Sequence, residues 1–341
     1  MKAVGYTESL DIENPDSLID IELPRPEAHG HDLLVRVSAI SVNPVDAKVR
    51  KRAAPEEGSY KILGWDAVGE VIAIGDEVSA FKKGDRVWYA GDVTRDGTNA
   101  EYHLVDERIV GKAPESLSDA EAAAIPLTSV TALELLFDRL GLKEASENEA
   151  EQERLLIVGA AGGVGSIMVQ LAAQLTDATV IGTASRPESE KWIMDLGADH
   201  VINHSKSFSE ELKRIGVNDV THVACLNHTD QHFEPLVEII APQGKFALID
   251  DPASMLDVIK LKLKSISLHW ELMFTRSMFQ TDDMGKQGDM LNRVAELIDA
   301  GNIRTTLGAH YGTICADNLR RAHRDIESGK SIGKIVLEGF S

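Results

Sequence analysis

The run Leu155-Leu156-Ile157-Val158, followed by Gly159-Ala160-Ala161-Gly162-Gly163-Val164-Gly165, decides the fold. Four apolar residues in a row read as a strand buried on both faces of a parallel sheet. The apolar stretch 167–175 behind the turn predicts a helix. A glycine-rich pattern alone is weak evidence, but strand, glycine turn and helix in this order supply the context of a dinucleotide-binding turn. Gly162 lets the backbone approach a pyrophosphate, and Gly165 lets helix and strand pack closely. Ala160 stands where the first glycine usually lies and still permits a tight turn. Free N–H groups and a partial positive charge at the helix start make Ala160, Gly162, Gly163 and Val164 the candidate diphosphate contacts.

Working outward, strands at 179–182, 200–202, 220–226 and 245–249 alternate with helices at 188–196 and 233–240, which predicts a doubly wound α/β sheet. The end of the second strand reads Gly182-Thr183-Ala184-Ser185-Arg186-Pro187, with no carboxylate before Glu188. A site for NAD usually places an acidic residue there. Ser185 can instead donate a hydrogen bond and Arg186 can pair with a 2′-phosphate, with Lys191 as a third contact. NADPH is the expected cofactor; the alternative for Arg186 is a solvated surface arginine.

Ahead of this unit, the first 120 or so residues carry short β-type runs at 33–37, 67–72 and 85–89 punctuated by Gly75-Asp76 and Gly84-Asp85, as in a compact, mostly antiparallel β domain. The stretch 118–140 reads as helical, with Ser118 and Glu121 forming a capping box. Residues 144–153 contain five glutamates and read as an exposed acidic loop. A helix at 290–300 and a strand at 334–337 close the chain, the strand returning to the N-terminal domain.

Composition narrows the function. The chain has 341 residues, 43% apolar and 26% charged, enough for two ordinary domains. Its formal charge of −20 repels phosphate backbones and anionic lipid surfaces, so neither nucleic acid nor membrane is the expected partner. Cys225 and Cys315 are far apart, which excludes a disulfide scaffold and a cysteine-rich zinc lobe. The N-terminus lacks the basic start and apolar core of a secretory signal, so the cytoplasm is the expected location.

Several motifs taken together resemble the medium-chain dehydrogenase/reductase superfamily: Ser41-Val42-Asn43-Pro44-Val45-Asp46, Gly64-Trp65-Asp66-Ala67-Val68-Gly69, Gly84-Asp85-Arg86-Val87, Pro126-Leu127-Thr128-Ser129-Val130-Thr131-Ala132, Phe274-Thr275-Arg276 and Ser331-Ile332-Gly333-Lys334. Within it, the chain is similar to the quinone oxidoreductase branch, and most of all to the bacterial zinc-type alcohol dehydrogenase-like group. The resemblance spans essentially the whole chain. It implies a GroES-like catalytic domain (1–125 and 280–341) and a Rossmann NADPH-binding domain (126–279). It also implies a homo-oligomer, a dimer or a tetramer with the dimer expected, often joined through the edge of the Rossmann sheet, here the strand at 265–269. It puts Thr131 at the nicotinamide or its ribose, His204 near the 2′-phosphate, and Lys334 among the cofactor contacts. Thr131 can equally be a helix-interior threonine, and His204 a solvated loop histidine.

The positions that match the superfamily's zinc ligands are Asn43, Trp65 and Leu127. Zinc prefers thiolate and imidazole, and neither Trp nor Leu can bind it. Losing the Lewis acid changes the feasible reaction. An alkoxide needs one, whereas a quinone or α,β-unsaturated carbonyl accepts hydride to give a delocalised, weakly basic anion. The expected activity is hydride transfer from NADPH to a small conjugated carbonyl or quinone. The alternatives are a reductase for one specific enone or enal, and a non-catalytic NADPH-binding redox sensor. Asn43 is the candidate polarising donor, unless it serves only as the turn residue before Pro44. Trp65, Tyr89 and Phe274 are candidate walls of a flat slot, or core. Tyr89 is a candidate proton donor, a step that solvent can also supply.

Overall fold

The computed structural model describes residues 1–145 and 153–340. Most of the acidic stretch at 144–153 therefore lies outside the described residues. The chain divides into two compact units, Met1–Val130 with Phe274–Ser341, and Thr131–Met273.

The second unit contains the strand that the apolar run predicted, Arg154–Val158. Among the described residues its sheet has six parallel strands in the spatial order His200–Ile202, Thr179–Thr183, Arg154–Val158, Val220–Cys225, Ile240–Leu248 and Ser267–Trp270. In chain order this is 3-2-1-4-5-6, the doubly wound arrangement whose direction reverses beside the first strand. Leu155, Leu156, Ile157 and Val158 are all buried, as a strand covered by helices on both faces requires. The final strand begins later than the sequence suggested. Ser265 ends the preceding 3-10 turn in the left-handed region (φ 52°), so pairing starts at Ser267. The helix expected at 233–240 starts earlier, at Thr229, where Asp250 accepts from the Thr229 N–H (2.9 Å) and from its hydroxyl.

The first unit is built on the long strand Asp32–Val42. One edge pairs antiparallel with Ala67–Ile74. The other takes Tyr102–Asp106 along its first half and Lys334–Glu338 along its second. The C-terminal strand thus returns to the N-terminal unit and places Lys334 beside Val42 and Asn43. Arg86–Tyr89 and Val110–Lys112 continue the sheet.

The helical stretch expected at 118–140 forms with its capping box, but in pieces: Asp119–Ala123, Pro126–Leu133 and a π-helical turn, Glu134–Arg139. Pro126 has no N–H to donate, and Ile125 bonds back to Ala122 in a tighter turn, so the ladder restarts there. The whole span Asp119–Arg139 is long and apolar enough to cross a bilayer, yet 89% of its most apolar window is buried inside the protein.

Candidate active site

In the first unit, four of the singled-out motifs converge on one carboxylate. Asp66 is fully buried. Its Oδ1 accepts the backbone N–H of Leu127 (2.7 Å). Its Oδ2 accepts from the Ser41 hydroxyl (2.8 Å), Asn43 Nδ2 (2.7 Å) and the ammonium of Lys334 (3.0 Å). Lys334 is buried as well and also donates to the Val42 carbonyl (3.2 Å) and to Asn43 Oδ1. A buried charge pair is tolerable only when its lone pairs and protons are satisfied, and here they are. Asn43 itself caps the helix Pro44–Arg52, its N–H donating to the Asp46 carboxylate (2.7 Å). Burial pushes Asp46 up to about 7, against the pull of the Asn43 N–H and the Lys334 charge.

This geometry corrects the expectation for Lys334. Its three N–H bonds are spent on Val42, Asn43 and Asp66, so no donor remains for a cofactor. The donor set also fails to fit zinc. Asn43 Oδ1 already accepts an ammonium. Trp65 directs its indole N–H to the Asp92 carbonyl (3.1 Å), and Leu127 offers only an N–H. Among the described residues no three His, Cys, Asp or Glu side chains are grouped to hold a metal.

Trp65 and Phe274 do meet, edge to face with ring centroids 6.1 Å apart at 71°. Both are buried, so in this conformation the two rings pack on each other as core. Tyr89 is corrected more sharply. Its ring stacks on His103 (5.4 Å), its hydroxyl bonds His103 Nδ1 (3.1 Å), and its side chain is wholly buried. Burial pushes the phenol well above the ordinary tyrosine range, the wrong direction for a proton donor.

The second unit holds the glycine turn. The helix Gly163–Leu175 begins at Gly162, and no side chain caps it, so its first amides are open to an anion. A Cβ on Gly162 would meet only the Gly159 carbonyl, at 3.4 Å; one on Gly165 would sit 2.5 Å from Ala160 Cα and from the Gly159 carbonyl oxygen. Packing therefore leaves room for a side chain at Gly162, whereas one at Gly165 would force the helix off the turn at Gly159 and Ala160. Ala160 is buried under the turn, with Gly163 and Val164 in the first helical turn. These residues fit a diphosphate.

Sequence reading quoted Gly159 in this turn without a role and missed Thr183 and Asn227 beside it. Gly159 takes φ +83°, and a Cβ there would lie 2.8 Å from Asn227 Oδ1. Its N–H donates to the Thr183 hydroxyl (3.2 Å), which also contacts His204 Nδ1 (3.2 Å). Only the glycine itself gave a signal; Thr183 and Asn227 reach it through the sheet. Burial, then the neighbouring His228, lowers His204 below the usual imidazole range.

Ser185 is exposed at the strand end, and Arg186 lies beside it with Nε 3.6 Å from Glu188. Lys191 is exposed and pairs with Asp195 one helical turn on (2.5 Å). Thr131 is buried on Pro126–Leu133.

Comparison with known proteins agrees with this fold. Residues 29–115 match the profile of the alcohol dehydrogenase GroES-like domain, and residues 196–337 that of zinc-binding dehydrogenases. A zinc-type alcohol dehydrogenase-like protein of Staphylococcus epidermidis is 40% identical over 338 residues, covering 99% of each chain. The 2-methylene-furan-3-one reductase of Solanum lycopersicum is 34% identical over 99% of this chain and 79% of its own. The crystal structure of a putative zinc-dependent alcohol dehydrogenase from Rhizobium etli superposes with a TM-score of 0.95 at 52% identity, covering 100% of this chain and 98% of that one.

Proposed function

The chain belongs to the medium-chain dehydrogenase/reductase superfamily, in its zinc-type alcohol dehydrogenase-like group, and from that premise we propose an NADPH-dependent, zinc-independent reductase of quinones or other conjugated carbonyls. The observation that carries the reading is the donor set at Asn43, Trp65 and Leu127. With an ammonium already on Asn43 Oδ1, an indole and a leucine, it offers no Lewis acid to an alkoxide. A reaction that generates a localised oxyanion is then poorly served. A conjugated acceptor spreads the incoming charge over its own π-system and asks only for orientation and a hydrogen bond.

Ala160, Gly162, Gly163 and Val164 would cradle the diphosphate of a reduced nicotinamide cofactor, Ser185 and Arg186 would take its 2′-phosphate with His204 reaching the site from beside Thr183, and Thr131 would orient the nicotinamide end; the cofactor, when bound, would supply the hydride. Asn43 Nδ2 carries two N–H bonds. One is given to Asp66, and the other donates to the acceptor oxygen as negative charge develops on it. The final proton comes from solvent, since Tyr89 is sealed against His103.

Reduction of one particular enone is the second reading, favoured by the tomato relative named for such a substrate. A panel of quinones, enones, enals and saturated aldehydes with the reduced cofactor, assayed by loss of its absorbance, and of secondary alcohols with the oxidised cofactor, assayed by its gain, tests both. Turnover across the conjugated acceptors supports the broad reading, and turnover of a single enone supports the second. Turnover confined to saturated aldehydes or alcohols refutes both. The homo-oligomer and the cytoplasmic location belong to this proposal as expectations, checked by light scattering and by fractionation.

A further inference from the structure

The amide of Asn43 lies between a cation and an anion, and each forces the same orientation. Lys334 can only donate and so faces Oδ1, whereas the Asp66 carboxylate can only accept and so faces Nδ2. A flipped amide would set its NH₂ against the ammonium and its oxygen against the carboxylate. The amide is therefore held one way round by charge, and the direction of its second N–H is fixed. Lys334 comes from a strand 291 residues from Asn43 in sequence; its side chain is 3% exposed and its ammonium donates to three oxygens, Val42 O, Asn43 Oδ1 and Asp66 Oδ2.

We propose that Lys334 is a positioning residue: a resident cation, standing beside the first of the positions that match zinc ligands, which orients Asn43 and neutralises Asp66. It touches no cofactor. The role given to Asn43 rests on the function proposed above, but the cation site does not. A side chain cut back to alanine at 334 leaves a hole with the outline of n-propylammonium, three carbons and a charged nitrogen, facing three oxygen acceptors. That hole recognises a primary alkylammonium and not the neutral alcohol of the same length.

The test uses the full chain with Lys334→Ala, measuring melting temperature, NADPH dissociation constant and turnover, each with n-propylammonium or n-propanol. The variant is expected to melt about 10 °C below the parent, because one partner of a buried pair is left alone. Propylammonium restores several degrees and propanol none. NADPH affinity stays within roughly threefold, while kcat with a conjugated acceptor falls by about tenfold or more and recovers with the amine. Loss of NADPH affinity by about tenfold with an unchanged melt would return Lys334 to the cofactor site and overturn the proposal. So would equal effects of amine and alcohol. If Lys334→Ala does not fold, Lys334→Met alone and combined with Asp66→Asn decide: the neutral pair must melt above the single variant, and a lower melt contradicts the clamp. Should the parent turn over no conjugated acceptor, the function fails while the melting arm still judges the cation site.

Discussion

Gly162 and Gly165 are three residues apart in one turn, and their alanine variants are expected to fail in different ways. A Cβ on Gly162 meets only the Gly159 carbonyl, at 3.4 Å, and the backbone there (φ −74°) suits any residue. Gly162→Ala should therefore melt within about 2 °C of the parent, a fraction of a kcal/mol. The new methyl stands over the open amides of the helix start and displaces the diphosphate from them. A loss of about 1.4–3 kcal/mol, tenfold to a hundredfold in the NADPH dissociation constant, follows. A Cβ on Gly165 lies 2.5 Å from two backbone atoms that cannot move without parting helix and strand. Overpacking of this kind costs about 1–3 kcal/mol, so Gly165→Ala should lose several degrees as well as NADPH affinity. Fluorescence titration of NADPH and thermal melts of the purified variants measure both. Unimpaired NADPH binding by Gly162→Ala, at an unchanged melt, would refute the assignment of this turn to the diphosphate.

Three further outcomes follow from the same geometry. Arg186→Ala should cut the NADPH-over-NADH preference, measured as the ratio of kcat/KM values, by about tenfold or more, as expected for a lost charge-assisted bond to the 2′-phosphate; an unchanged ratio would make Arg186 a surface residue. Tyr89→Phe should leave kcat within roughly threefold, because the hydroxyl serves His103 and not the reaction, and a loss of a hundredfold would restore Tyr89 as the proton donor. His323 is fully buried, and burial, with Arg50 and Lys51 nearby, lowers it from 6.5 to about 3. The unfolded chain then binds a proton below pH 6.5 that the folded chain refuses. His323 therefore costs no stability above that pH and about 1.4 kcal/mol per pH unit as the pH falls towards 3. Melts of the parent and His323→Leu between pH 7 and pH 4.5 should diverge in slope, the variant being flatter, and parallel slopes would contradict the burial argument.

The parallel sheet was legible because Leu155–Val158 and the glycine turn are local signals, carried by adjacent residues. Boundaries were less so where a single backbone angle decides them, as at Ser265, or where proline restarts a helix, as at Pro126. The candidate site was legible as motifs but not as contacts. Asn43, Asp66 and Lys334 each lay in a quoted motif and the strand at 334–337 was expected to return to the N-terminal domain, yet nothing local indicates that its return sets an ammonium against Asp66. That pairing comes from the C-terminal strand joining Asp32–Val42 in the sheet, and it carries the proposal that Lys334 positions Asn43. Tyr89 illustrates the same limit: a β-strand tyrosine reads alike whether it lines a pocket or stacks on a buried histidine.

Metal content and turnover measured on one purified sample, before and after treatment with a strong chelator, test the central claim most directly. The account predicts less than about a tenth of a zinc equivalent per chain and NADPH oxidation by a conjugated acceptor unchanged by the chelator. One zinc per chain, with activity lost on its removal and regained on its return, would contradict it.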